Sequence, residues 1–279
     1  MSLSLHQRIG VDLGREMSVE AAIGWAAEND VHYLDMQTDL PPNALHDMPA
    51  RAPAIRARLT ETGVRLGLHT LSAVNIAEVS PHLAEAADAY LRSYIELAAA
   101  LDAGWIIVHA GYHFTTDHAE RRQAGLERLK RASDNAARFG VRLLLENPNP
   151  EPKGAEIHYL AADLDEWLWY LDRLDPAVVG AAFTANHAHL QPAGVDGFIA
   201  ALDFARVGEV RLADCVGPID EHLLPGEGTM DFAAMFAAIE GRGFCGHYMN
   251  QFSTAQAMSD ARPWLVEEAA RVGVPVAAQ

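Results

Sequence analysis

Short apolar runs alternate along the chain with longer stretches whose apolar residues recur every three or four positions. The runs at 7–13 (QRIGVDL), 31–36 (VHYLDM), 64–70 (VRLGLHT), 104–109 (GWIIVH), 141–145 (VRLLL), 177–183, 208–213 (GEVRLA) and 244–250 read as strands. The stretches 18–29, 51–61, 81–102, 117–140, 167–174, 195–202, 231–241 and 255–272 read as helices. Start signals support them: Ser18 as an N-cap, Ser80-Pro81 as a cap followed by proline, and Asp117-x-x-Glu120 and Asp163-x-x-Glu166 as capping boxes. Eight strand–helix units in strict alternation predict parallel strands joined by right-handed crossovers. At this length the expected architecture is α/β, a single (β/α)8 TIM barrel with residues 1–279 as one domain. The alternative is an open doubly wound sheet. Against it, no G-x-G-x-x-G turn follows the first strand, so no nucleotide cofactor is expected either.

Composition narrows the classes. Half of the 279 residues are apolar, enough for a large core. No apolar run approaches a membrane span, and the N-terminal MSLSLHQRIG lacks a signal pattern, so no membrane partner and a cytoplasmic location are expected. The net charge of −17 repels phosphate backbones, so nucleic acid is not an expected partner. Cys215 and Cys245 give no disulfide framework and no Cys-type zinc site. The two lysines, Lys130 and Lys153, fall in a helix and a loop, which disfavours a Schiff-base aldolase.

The chemistry gathers at the predicted strand ends, centred on VRLLLENPNPEP (141–152). There a buried strand ends in a carboxylate, Glu146, and prolines stop it. In a barrel the C-terminal strand ends share one mouth. Those positions hold Asp35, His69, His109, Tyr112, His113, Glu146, Thr184, His187 and His189. They also hold Arg211, Asp214, Asp220, His222, Gly226-Glu227-Gly228 and Asn250-Gln251. Six of the thirteen histidines fall there beside carboxylates, the groups that hold divalent metals and move protons next to carbonyls. Asp12 and Asp35 read as structural or rim residues, and Tyr112, His113 and His189 as pocket wall.

Six segments carry a resemblance over nearly the whole chain: HTLSAVNIAEVSP (69–81), VHAG (108–111), LLLENP (143–148), FTANHAHL (183–190), VRLADCVGPIDEHLLPGEGTMDF (210–232) and GFCGHYMNQF (243–252). They resemble the xylose isomerase-like barrel superfamily, which holds sugar isomerases and epimerases and zinc-dependent apurinic-site endonucleases. In the epimerase-type members one metal is held by Glu, Asp, His and Glu on the fifth to eighth strands. Glu146 matches the first, whereas Thr184, Arg211 and Gln251 (or its neighbour Asn250) stand at the other three, so the usual central site is not expected. Two outer sets of the nuclease-type members are present, His69, His109 and Glu146, and His187, Asp220 and His222. These imply a divalent metal, zinc or manganese, although His69, His187 and His222 equally resemble positions that hold substrate hydroxyls.

The resemblance implies an enzyme that isomerises, epimerises or eliminates from a small carbohydrate-like hydroxy-carbonyl compound through an enediolate. Glu146, His187 and Arg211 are the expected catalytic groups, with Arg211 beside Glu146 as the cation for an oxyanion. His113, Thr184, Asp214, His222 and Gln251 are the expected substrate contacts. An apurinic-site phosphodiesterase and a non-catalytic sugar-binding barrel are the alternatives. A homodimer is common in the superfamily, and no residue pattern here decides it.

Overall fold

The computed structural model describes residues 3–278. Eight parallel strands close into a barrel in the order β1-β10-β9-β8-β6-β4-β3-β2. In chain order the strands are β1 Ile9–Gly14, β2 Tyr33–Met36, β3 Arg65–His69, β4 Trp105–Val108 and β5 Tyr112–Phe114. They continue as β6 Leu143–Glu146, β7 Ile157–Tyr159, β8 Val179–Thr184, β9 Val207–Leu212 and β10 His247–Asn250. β5 and β7 lie outside the barrel and pair antiparallel, with His113 opposite His158.

Alternation along each strand separates two cores. Outward side chains join the helices in one large cluster. Inward, Tyr33, Trp105, Ile107, Leu144, Ala182 and Met249 form a small interior cluster. The interior also holds Asp35, Glu209, Arg211 and His247, all buried. Gly67 makes room for them, because a Cβ there would meet Asp35 Oδ1 and the Trp105 ring at 2.2 Å.

Four local expectations shift. Leu5–Arg8 is a helical turn with a Ser4–Gln7 capping box, so the first strand begins at Ile9 rather than residue 7. The last helix is two, Ala255–Asp260 and Arg262–Arg271, the second opening on Pro263. His187 and His189 lie on a short helix, Ala185–His189, instead of a loop. The antiparallel pairing of β5 with β7 was not anticipated, since three-residue strands far apart in the chain leave no periodicity to read.

Candidate active site and metal-ligating groups

Glu146 ends β6 at the floor of the barrel mouth, 3% exposed. Its Oε1 accepts the Thr184 hydroxyl at 2.5 Å. Its Oε2 faces His109 Nε2 at 3.0 Å and His69 Nε2 at 3.6 Å. Burial works to raise the Glu146 pKa, but hydrogen bonds from His109 and His69 and the Arg211 charge outweigh it and hold the carboxyl well below its usual range.

The neighbours of each ring show what this cluster can hold. Thr70 Oγ1 lies 3.0 Å from the Ile107 carbonyl and 3.3 Å from His109 Nδ1, and its one hydroxyl proton can serve either acceptor. Burial lowers the His109 pKa and keeps the ring neutral. Its Nε2–H donates to Glu146 Oε2 at 3.0 Å. His69 presents Nε2 to the same oxygen, with Nδ1 held by Asp12 Oδ2 at 2.9 Å. Burial and the Arg211 charge oppose protonation of His69, yet its hydrogen bonds to Asp12 and Glu146 raise it to about 9. His69, His109 and Glu146 each bring one ligand atom to a common point, and this imidazole–imidazole–carboxylate set fits a divalent metal.

The second outer set repeats the pattern. His187 Nδ1 donates to the Asn147 carbonyl at 2.8 Å and His222 Nδ1 to the Gln251 carbonyl at 2.6 Å. Their Nε2 atoms converge on Asp220 Oδ2 at 3.2 and 2.7 Å. Burial opposes ionisation of Asp220, and the two histidines overcome it and hold the carboxyl far below its usual range. Asn186 Nδ2 fixes the other oxygen at 2.7 Å. This donor set also fits a divalent metal.

A third group of potential ligands, Asp12, Asp35 and His69, already surrounds a cation, the guanidinium of Arg211. Arg211 is fully buried. One terminal nitrogen donates to Asp35 Oδ2 at 2.7 Å and Glu209 Oε1 at 2.5 Å, the other to Asp12, and Nε to Gln251 Oε1 at 2.9 Å. Burial disfavours its charge, but Glu209, Asp12, Glu146 and Asp35 together push its pKa well above the usual value. Burial and repulsion from Glu209 push Asp35 far up, and burial raises Glu209. Burial also works to raise Asp12, but Arg211 outweighs it and Asp12 stays ionised. Asp35 and Glu209 are thus the carboxyls of the cluster whose ionisation is disfavoured, while Asp12 and Glu146 pair with the guanidinium as anions.

Several expected roles change on this geometry. Arg211 approaches Glu146 only at 3.5 Å, and its nearer contacts are Asp12, Asp35, Glu209 and Gln251, which leave it no free face for an oxyanion. Asp214 is not placed for substrate: it is buried, and its oxygens accept the backbone N–H of Cys215, Gly226, Gly228 and Met230. His113 lines a separate cavity of 220 Å³ with His118, His158 and Glu166. Thr184 spends its hydroxyl on Glu146, and Gln251 bridges Arg211 and Asn186. Asp12 and Glu209 were missed as site-forming groups. The readable sign was Glu209-x-Arg211, two charges two apart on a strand and hence on one face.

Above the cluster opens a cavity of 620 Å³ lined by Asp12, Glu16, Gln37, His69, His222 and Gln251 among others. Among the described residues no lysine or arginine lines it.

Residues 23–271 match the family model of the xylose isomerase-like TIM barrel. The structure is similar to that of a D-tagatose 3-epimerase-like protein, with 20% identity, a TM-score of 0.81, and coverage of 95% of this chain and 97% of that one. D-psicose 3-epimerase from Clostridium cellulolyticum H10, solved with D-tagatose, gives 15% identity, a TM-score of 0.75 and coverage of 95% and 99%. 3-keto-D-glucoside 4-epimerase from E. coli gives 18%, 0.74, and 93% and 98%. At these identities the likeness is one of fold. Uncharacterised proteins of Mycobacterium bovis and Mycobacterium tuberculosis are 40% identical over 85 residues, 28% of this chain and 29% of their own length.

Proposed function

This chain belongs to the xylose isomerase-like TIM-barrel family, and from that premise we propose that it is an isomerase-type enzyme moving a proton next to the carbonyl of a small, unphosphorylated sugar or polyol derivative. The observation that carries this reading is the Glu146 constellation: a buried carboxylate at the floor of the mouth with His109 Nε2 at 3.0 Å and His69 Nε2 at 3.6 Å, contacts that lower the carboxyl pKa and raise that of His69. An ionised carboxylate is the starting form a base needs, and its weak basicity is offset when a neighbouring cation stabilises the enediolate oxygen. His69 takes the part that the sequence suggested for Arg211, because it lines the open cavity while Arg211 is fully buried. Arg211 acts behind it as the counter-charge that keeps Asp12 and Glu146 ionised.

His69, His109 and Glu146 would hold one divalent ion, and His187, Asp220 and His222 a second; when bound, such an ion supplies Lewis-acid stabilisation of an oxyanion. Gln37 offers a neutral polar contact to hydroxyls, and an acidic rim without lysine or arginine among the described residues is unfavourable for a phosphate dianion. Gln251 cannot accept a proton, so no second carboxylate faces Glu146 from the end of β10. One base suits return of the proton to the neighbouring carbon on the same face, which is isomerisation, better than inversion through two bases.

Proton NMR in D2O with a panel of ketoses, aldoses and keto acids tests the reading. Deuterium should appear at the carbon next to the carbonyl. Glu146→Gln should slow that exchange by about 10²–10⁴-fold. Absence of exchange across the panel, with chelated and with Mn²⁺-loaded protein, would overturn it.

A further inference from the structure

At the opposite end of the barrel, where conserved features ordinarily serve stability, the strand starts enclose a cavity of 510 Å³. That volume lies in the range of small-molecule pockets. Its floor is aromatic. Tyr33 and His247 stack at 4.3 Å and 7°, and Trp105 leans on His247 at 4.3 Å. All three are less than 8% exposed. The walls carry Arg56, Arg65 and Arg142, against a single carboxylate, Asp102.

The arginines are unusual for this molecule. Acidic residues outnumber basic ones 38 to 21, so most cationic side chains should find a carboxylate. Among the described residues none of these three is in an ion pair. Arg65 reaches only the Tyr33 hydroxyl at 3.2 Å and the Tyr33 ring at 5.4 Å. Arg142 reaches only the carbonyls of Pro176 and Ala177, at 3.5 and 3.3 Å. Arg56 donates from its side chain to nothing among the described residues. Three guanidinium groups without a carboxylate partner among the described residues thus line one concave, ring-floored space in a strongly acidic protein.

We propose that this cavity is a second binding site, distinct from the mouth, for a small aromatic carboxylate. The rings supply a flat apolar floor, and the guanidinium groups supply paired N–H donors for a carboxylate. Recognition needs both parts of the ligand: the ring fills the apolar half of the pocket, and the charge selects against neutral analogues of the same shape.

Calorimetric titration of the full chain with 4-hydroxybenzoate, and separately with the neutral 4-hydroxybenzamide, tests this. The acid should bind saturably and the amide at least about tenfold more weakly, with acid affinity falling as salt is raised. The double variant Arg65→Glu/Arg142→Glu should weaken acid binding by about tenfold or more, as one charge-assisted contact is worth about that factor. Arg56→Glu, on an exposed helical surface, provides an independent variant should the double variant melt early. His222→Ala, at the mouth, should leave acid binding unchanged. Absence of saturable binding, equal binding of acid and amide, binding indifferent to both arginine variants, or loss of binding in His222→Ala would each overturn the proposal.

Discussion

Arg211 decides more at this site than any other residue. Its guanidinium is buried among Asp12, Asp35, Glu209 and Glu146, so removing it leaves carboxylates without a counter-charge in a medium that cannot solvate them. Arg211→Met should cost about 3–5 kcal/mol in urea unfolding. Arg211→Lys, which keeps the charge but loses the planar fork, should cost less. Equal stability of wild type and Arg211→Met would show that the cluster is not ionic.

His247 gives a second residue-scale expectation. Burial pushes it down to about 3, Arg211, Arg65 and Arg8 act in the same direction, and Asp35 acts against them. Its Nε2 bonds Glu209 Oε2 at 2.9 Å. The folded value lies below the unfolded value of about 6.5, so the unfolded chain binds the proton first as pH falls. The His247 contribution to stability is complete above about pH 6.5 and is lost between there and about pH 3, at up to about 1.4 kcal/mol per pH unit. Unfolding at pH 5 and 7 in chelator should show this slope, reduced in His247→Gln. His109, also lowered, adds to it with the same sign.

Among the elements, the segment after β9 shows how a polar loop is made rigid. Asp214 gathers four backbone N–H groups, two of them from the Gly226-Glu227-Gly228 run. Gly228 must lack a side chain because a Cβ would meet Asp214 Oδ1 at 2.2 Å. The same segment carries Asp220 and His222. Asp214→Ala should therefore destabilise by about 3 kcal/mol, speed hydrogen exchange over 215–230 and weaken zinc binding at His187, Asp220 and His222. Gly228→Ala should do the same in milder form. Unchanged exchange over that segment in Asp214→Ala would show that the carboxylate does not hold it.

For the molecule as a whole, charge and cavity shape set the partners. A net charge of −17 and a mouth cavity lined, among the described residues, without lysine or arginine oppose the approach of a phosphate backbone. Abasic duplex DNA should be neither bound nor cleaved, with or without added zinc, in a gel assay at low salt. Cleavage lost in His187→Asn would instead establish the phosphodiesterase reading. Among the described residues no helix is long and apolar enough to cross a membrane.

The alternation of apolar runs and amphipathic stretches carried the barrel, because a strand buried on both faces and a one-sided helix each leave a local pattern. The strand ends, and with them His69, His109, Glu146, His187, Asp220 and His222, followed from it. The two outer donor sets do assemble from those residues. Side-chain commitment was not legible. Asp214 and Arg211 read as reactive groups at the mouth, yet one is saturated by its own loop and the other by carboxylates from β1, β2 and β9. The three-residue strands β5 and β7 and the ring-floored cavity at the far end left no trace either, since both arise where distant segments meet. The sequence by itself determined which residues reach the mouth, a matter of periodicity. Only the tertiary structure decided which keep a free donor or lone pair there, because hydrogen bonds and charge balance depend on neighbours far apart in the chain.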